Sequence, residues 1–166
     1  MKKLYIIGLL AIGFASCKPQ LEPSKPQKGE ADFSRYVAVG NSLTAGFADG
    51  SLYRSGQKHS YPSLMATPFA PVGSGDFVQP LLPGNYGYPN AKMMLAVRRG
   101  FCDAEASLKV IPFEGALDTP GSSTNISYQG PFNNTGVPGI RCIDYLFPGY
   151  AMYNPYAKRF FYNPAG

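Results

Sequence analysis

The chain has 166 residues, of which 45% are hydrophobic and 15% charged, with a formal net charge of +5 and three cysteines. The charge is too small, and the basic residues are too scattered, to indicate a nucleic-acid-binding protein. The length suits one ordinary domain with a real hydrophobic core.

The first sixteen residues have the pattern of an export signal. Two lysines precede an apolar run over residues 4–15, which is too short to span a bilayer as a stable helix. The run leads into FASC, residues 14–17, which resembles a bacterial lipobox and implies that Cys17 carries the lipid as the first residue of the mature protein. An ordinary cleaved signal or a buried N-terminal hairpin is the alternative. Removal of residues 1–16 lowers the net charge from +5 to +3, because both lysines are lost.

Residues 18–32, KPQLEPSKPQKGEAD, contain three prolines, several charges and almost no apolar side chain. Such a segment cannot bury enough surface to offset the entropy of ordering it. We therefore expect residues 17–32 to be an extended tether and the folded domain to occupy residues 33–166.

In the first half of that domain, the sequence pattern predicts a strand at residues 35–39, followed by a tight turn over residues 40–46. Ser60 and Pro62 are typical of a helix N-cap and first turn, which predicts a helix over residues 61–69. Residues 70–89 contain too many prolines and glycines for regular structure.

The second half predicts a helix over residues 91–99, capped by Asn90 and ended by Gly100, and then a strand over residues 107–113. A loop is expected at residues 114–139. Apolar residues recur at helical spacing over residues 140–147, with Gly149 as the end of that helical segment. Residues 150–166 are rich in aromatic residues and proline without a period. Loops as long as these often form the wall of a binding cleft.

Cys102 and Cys142 remain after the signal. In an oxidising compartment they could close a loop of about 40 residues, which would stabilise the fold by roughly 4 kcal/mol. Two separate buried thiols are the alternative. Neither cysteine has a CxxC partner or a nearby histidine, so the cysteines do not indicate a zinc site. No metal or other cofactor is expected.

The turn GNSLTAG, residues 40–46, presents the hydroxyl of Ser42. A serine becomes a nucleophile when a base takes its proton and preorganised donors stabilise the resulting oxyanion. A sharp turn between strand and helix exposes the hydroxyl and leaves backbone N–H groups free at the helix start. Ser42 could instead cap the following helical turn or belong to a phosphate cradle, although the lysine and spacing of a P-loop are absent.

The segment VAVGNSLTAG, residues 37–46, resembles the first block of the GDSL, or SGNH, esterase and lipase family, in which the serine of this turn is the nucleophile. NTGVPGIR, residues 134–141, resembles the second block of that family, a strand-end turn whose glycine N–H donates to the oxyanion. The resemblance implies that Ser42 is the nucleophile. It implies that Gly139, or alternatively Gly136, is an oxyanion donor beside the N–H of Ser42. Gly139 also precedes the helical pattern, whose positive end would face an oxyanion.

Two departures from the family pattern are visible. Asn41 stands where the family has aspartate, which removes a charge beside the turn. The third block and the C-terminal Asp-x-x-His pattern are not recognisable, and the one histidine, His59, lies in a polar loop either as a base or as a surface residue. Ser42 and Gly139 are 97 residues apart, so we expect a long loop-rich insertion between the blocks. We also expect the chain to be an inactive N-terminal fragment of a longer enzyme.

The resemblance implies an α/β fold, the three-layer α/β/α sandwich with a mostly parallel sheet, incomplete in this chain. It implies a serine esterase or lipase that acts on a lipid, an acetylated glycan or a small ester. The lipobox implies lipid anchoring in the bacterial cell envelope, at the outer membrane, facing the periplasm or the surface. A non-catalytic surface lipoprotein that binds glycans or peptides through aromatic loops is the alternative.

Overall fold

The structure, a computed structural model, describes residues 24–102, 104–115 and 131–161. Cys17 and the predicted signal lie outside these ranges. The α-helices in the described ranges are α1 (Ser42–Ala45), α2 (Arg54–Lys58), α3 (Tyr61–Phe69), α4 (Tyr150–Tyr153) and α5 (Lys158–Phe161). The strands there are β1 (Met93–Arg98) and β2 (Ser107–Pro112), and 3₁₀ helices cover Ala70–Val72 and Cys142–Leu146. Residues 24–32 of the predicted tether are exposed and contain no helix or strand.

The predicted helix at residues 61–69 is confirmed as α3. Ser60 is its N-cap residue, and Pro62 lies in its first turn, where the missing N–H of proline costs no intrahelical hydrogen bond. The side chain of Ser60 makes no capping hydrogen bond. Pro62 and Ala66 are buried one turn apart, so the helix packs through one face.

The predicted helix over residues 91–99 is wrong, because this segment forms β1. It pairs antiparallel with β2, in a register that places Met93 opposite Pro112 and Arg98 opposite Ser107. Alanine, methionine and leucine favour a helix by only a few tenths of a kcal/mol per residue, and cross-strand pairing outweighs that preference. The strand predicted at residues 107–113 is confirmed as β2.

The strand predicted at residues 35–39 is reduced to one parallel bridge, between Ala38 and Asn134. The backbone hydrogen bonds that extend this contact run from Ala38 N–H to Asn133 O at 2.7 Å, from Thr135 N–H to Ala38 O at 2.9 Å and from Val137 N–H to Gly40 O at 2.9 Å. Residues 36–40 therefore run beside residues 133–137 and parallel to them.

The irregular stretch predicted at residues 70–89 is confirmed except for the 3₁₀ helix at Ala70–Val72. Buried Gln57 fixes this stretch with both ends of its amide. Its Nε2 donates to Pro80 O at 2.8 Å, and its Oε1 accepts from the N–H of Leu82 at 2.7 Å. Leu82 is fully buried, so the loop contributes to the core.

Residues 140–147 form less helix than predicted. A 3₁₀ helix covers Cys142–Leu146, and Gly149, predicted to end the helical segment, is instead the N-cap residue of α4. The Asp144 carboxylate fixes the start of the 3₁₀ helix, because it accepts from the backbone N–H of Arg141 at 2.9 Å and from the Arg141 guanidinium at 2.8 Å.

Two small apolar clusters hold the described body together. One contains Ala45, Leu52, Leu82 and Tyr88, and the other contains Val137, Ile140 and Ala157. Tyr156, between α4 and α5, packs against both clusters. The guanidinium of buried Arg159 in α5 donates to Pro80 O at 2.8 Å, and burial lowers the pKa of Arg159 to about 10. The last described segment is thereby joined to the irregular stretch of residues 70–89.

In the described ranges, regular sheet is limited to the antiparallel β1–β2 pair. The three-layer α/β/α fold stays a prediction. Cys102 and Cys142 are separate thiols in the structure, and both are exposed rather than buried. None of the described helices is long and apolar enough to cross a membrane.

Candidate active site

The short helix α1 begins at Ser42, which is half-buried. Asn41 is the N-cap residue: its carbonyl oxygen accepts from the N–H of Ala45 at 3.0 Å, and its side-chain oxygen accepts from the N–H of Ser42 at 2.6 Å. Gly46 ends the helix with a φ of 80°, a left-handed conformation that favours glycine. The tight turn predicted at residues 40–46 is therefore present, with Ser42 at the start of a helix.

Glycines let neighbouring backbone approach α1 closely. A Cβ on Gly136 would lie 2.4 Å from Ala45 N, and a Cβ on Gly46 would lie 2.5 Å from Gly56 O. Close-packed interiors leave no room for atoms at such distances. The segment after the parallel bridge therefore lies directly against the helix that carries Ser42.

Asn41 joins the two sequence blocks through both ends of its amide. Its Oδ1 accepts from the N–H of Ser42 at 2.6 Å and from the N–H of Gly139 at 2.9 Å. Its Nδ2 donates to the carbonyl of Ile140 at 2.8 Å. An aspartate could accept the first two hydrogen bonds but has no N–H for the third, which gives the asparagine at this position a structural reason.

The two backbone N–H groups predicted as oxyanion donors thus converge on one atom, Asn41 Oδ1. Gly139 is exposed with a φ of 82°. The N–H of Gly136 donates instead to Asn134 Oδ1 at 3.0 Å, so this geometry favours Gly139 over Gly136 as the partner of Ser42. The expected helix start at Gly139 is wrong, because the 3₁₀ helix begins at Cys142.

No described side chain forms a hydrogen bond with Ser42 Oγ. His59 is exposed at the C-terminal end of α2, and its Nδ1 lies 2.7 Å from Ser55 O. The hydroxyl of Tyr145 donates to Gly40 O at 3.1 Å, and burial raises the pKa of Tyr145, which keeps it protonated. The described residues therefore bring Ser42 and the N–H groups of Ser42 and Gly139 together without a base bonded to the Ser42 hydroxyl, and the roles of Ser42, Gly139 and His59 stay predictions.

A surface cavity of about 520 Å³ lies beside α1. Its wall includes Leu43, the residue after Ser42, together with Phe47, Tyr53 and Tyr61, whereas Ser42 itself is outside the wall. Burial and a hydrogen bond to Asp49 raise the pKa of Tyr53 to about 12, so its phenol is neutral. Apolar rings with a neutral hydroxyl suit an apolar group of a ligand.

Sequence reasoning missed the parts played by Asn41 and Asn134. Buried Asn134 donates through Nδ2 to Thr44 O at 2.8 Å and to Gln79 Oε1 at 3.1 Å, which ties the second block to α1. Asparagine before a helix start is a visible capping signal. The contact of Asn41 with Gly139, 98 positions away, has no local signal.

Comparison of the chain with protein-family models, with curated proteins and with solved structures finds no match in any of the three. Within the described part of the chain, no group of three or more histidine, cysteine, aspartate or glutamate side chains could hold a metal ion. What can be proposed about function therefore depends on Ser42, Asn41 and Gly139.

Proposed function

We propose that this chain belongs to a serine ester hydrolase of the GDSL, or SGNH, type, anchored in the bacterial cell envelope by a lipid on Cys17. Ser42 is the nucleophile, and the backbone N–H groups of Ser42 and Gly139 are oxyanion donors. The substrate class is an ester of a lipid, an acetylated glycan or a small alcohol.

One observation carries the proposal. N–H groups from Ser42 and Gly139, on segments distant in sequence, are directed at a single oxygen, Asn41 Oδ1. Acyl transfer needs donors that converge where negative charge develops, next to the nucleophile. In the proposed reaction the substrate carbonyl oxygen takes the place of Asn41 Oδ1, and the Asn41 side chain rotates away.

The proposed step forms a bond between Ser42 Oγ and the ester carbonyl carbon while the carbonyl electron pair moves onto oxygen. The Ser42 proton passes to a base and then to the leaving alcohol as the ester C–O bond breaks. Water later hydrolyses the acyl-enzyme. In this proposal the described residues supply the nucleophile and the two donors. The base is a residue that is not hydrogen-bonded to Ser42 in the described part of the chain.

Fluorophosphonate labelling tests the proposal in the full-length protein isolated from the cell envelope. We expect a covalent adduct on the Ser42 peptide by mass spectrometry, and ester hydrolysis reduced about 10³-fold or more in Ser42→Ala. Ser63→Ala is the matched control, because Ser63 is also a half-buried serine in a helix. A folded protein that hydrolyses esters equally well as Ser42→Ala would refute the proposal.

A non-catalytic glycan- or peptide-binding lipoprotein is the second candidate, favoured by exposed aromatic rings near the C-terminal end of the described chain. Phe147 and Tyr153 are 51% and 76% exposed, and their rings stack with centroids 6.1 Å apart. Flat exposed rings suit the apolar faces of sugars. Unlabelled Ser42, together with glycan-array binding that is lost in Phe147→Ala, would favour this function.

A further inference from the structure

The β1–β2 hairpin packs on the rest of the described body mainly at its base. The N–H of Met93 donates to Asp49 O at 2.7 Å, and the rings of Tyr86 and Phe113 stack with centroids 5.0 Å apart. Among the described helices and strands, β1 and β2 contact chiefly each other. A two-stranded hairpin is only marginally stable alone in water, so its exposed faces matter.

One face of the hairpin is apolar. Residues directly opposite in an antiparallel pair share a face, so Leu95 with Val110 and Val97 with Leu108 lie on the same side. These side chains are 62%, 63%, 68% and 64% exposed, respectively. Met93 and Pro112 continue the same face, which carries no charged residue. A contiguous exposed apolar surface of this kind marks an interaction site.

The loop between the strands adds a fully exposed aromatic residue. Phe101 has a relative exposure of 106%, so its ring contacts almost nothing in the described body. Residues 92–114 contain four basic and three acidic residues, which leaves a net charge of only +1. Any attraction of the hairpin to a partner therefore depends on apolar surface more than on charge.

We propose that the apolar face and Phe101 form a membrane-docking surface that inserts into the interfacial region of a phospholipid bilayer. The face is two strands wide and about 20 Å long. A bilayer accepts a few aliphatic and aromatic side chains without a complementary shape.

The choice of a bilayer rests on the proposed lipid anchor at Cys17. The tether from Cys17 to Phe33 spans at most about 55 Å when fully extended. The anchor therefore keeps the hairpin within reach of the membrane at a high effective concentration, which adds to the affinity that the apolar face has by itself.

Tryptophan fluorescence tests this surface, because the sequence contains no tryptophan. Residues 17–166 with Cys17→Ser lack both the lipid and the signal, whose apolar run would bind vesicles by itself. With Phe101→Trp added, we expect blue-shifted emission on phosphatidylcholine vesicles and quenching by brominated acyl chains. Tyr153→Trp, at a position 76% exposed outside the hairpin, should show neither change.

Paired substitutions measure how much the face contributes. Leu95→Ser/Val110→Ser should weaken vesicle binding about tenfold or more, because both aliphatic groups lose their apolar environment. Leu146→Ser/Met152→Ser, at two positions each 78% exposed elsewhere, should leave binding unchanged. Adding anionic phosphatidylglycerol should raise binding by about fivefold or less, as expected for one net charge.

Three outcomes would overturn the membrane surface. The first is no vesicle binding by the parent chain, and the second is an equal loss of binding in both double variants. The third is a concentration-dependent dimer that only the hairpin variant abolishes, because that result would assign the face to a second copy. The lipid on Cys17 is detected separately, by mass spectrometry of the protein isolated from the cell envelope. A missing anchor is thereby distinguished from a hairpin that does not bind membranes.

Discussion

The Ser42 turn and the β1–β2 hairpin differ in how their residues are connected. Around Ser42, hydrogen bonds join residues 98 positions apart, and glycines bring backbone atoms into direct contact. In the hairpin, the contacts with other described helices and strands are mainly those between β1 and β2, and aliphatic side chains face solvent. We therefore expect the addition or loss of a single atom near Ser42 to change the free energy of unfolding, whereas whole side chains in the hairpin should be dispensable for folding.

Gly136→Ala should break the Ser42 region most severely. The new Cβ would lie 2.4 Å from Ala45 N, a backbone atom that cannot move aside alone. We expect a loss of about 3 kcal/mol or more in the free energy of unfolding, measured by urea denaturation. Gly75→Ala is the control, since no heavy atom lies within 4 Å of its Cβ position. Equal stability of the two variants would show that the packing around α1 is loose.

Asn41→Ala should have the next largest effect, because it removes the acceptor of two N–H groups and the donor to Ile140 O. We expect a cost of about 1–3 kcal/mol and faster hydrogen exchange at the amide of Gly139. Asn41→Asp keeps the acceptor and should protect that amide better than alanine does, while still losing the Ile140 contact. Unchanged Gly139 exchange in Asn41→Ala would contradict the network.

Acid should weaken the turn at the 3₁₀ helix that follows Gly139. Hydrogen bonds from the Arg141 side chain and N–H hold the pKa of Asp144 below its usual value. Because the folded pKa is lower than the unfolded pKa of about 3.9, the stabilisation is present above that pH and is lost as pH falls through the folded value. The unfolding free energies of the parent and Asp144→Asn should therefore converge below about pH 4. A constant difference from pH 7 to pH 3 would exclude this linkage.

The hairpin should give the smallest effect on folding. Leu95→Ser/Val110→Ser changes two residues that are 62% and 63% exposed, so the free energy of unfolding should change by about 0.5 kcal/mol or less. Leu52 is fully buried in the core, so Leu52→Ala should lower the free energy of unfolding by about 2–5 kcal/mol in the same denaturation experiment. A large loss in the serine variant would mean that the hairpin face is already covered.

Elements with local signals were predictable. Ser60 and Pro62 located α3, alternation located β2, and the glycine-flanked serine located the turn of α1. The helix predicted at residues 91–99 failed because its composition suits a helix, whereas the deciding partner, β2, lies further along the chain. Pairing between two segments outweighs the helix preference of either composition. The sequence pattern within one segment does not reveal that pairing.

The candidate site was predictable in its residues but not in its bonding. The two blocks indicated Ser42 and Gly139, and both lie against Asn41. The parallel contact of residues 36–40 with residues 133–137 supplies that proximity. A long-range contact of this kind depends on the whole fold and leaves no local pattern in the sequence. Asn41 was therefore recognisable as the cap of α1 but not as the partner of Gly139.

The side-chain oxygen of Asn41 has a consequence for selectivity in the proposed hydrolase. A neutral substrate carbonyl that displaces this oxygen exchanges one pair of neutral hydrogen bonds for another, and the hydrogen bond from Asn41 to Ile140 O is lost as well, so nothing is gained. A negatively charged oxygen gains more, since hydrogen bonds to a charged acceptor are roughly twice as strong. Asn41 would thus act as an internal competitor that suppresses ground-state binding and leaves the preference for the transition state intact.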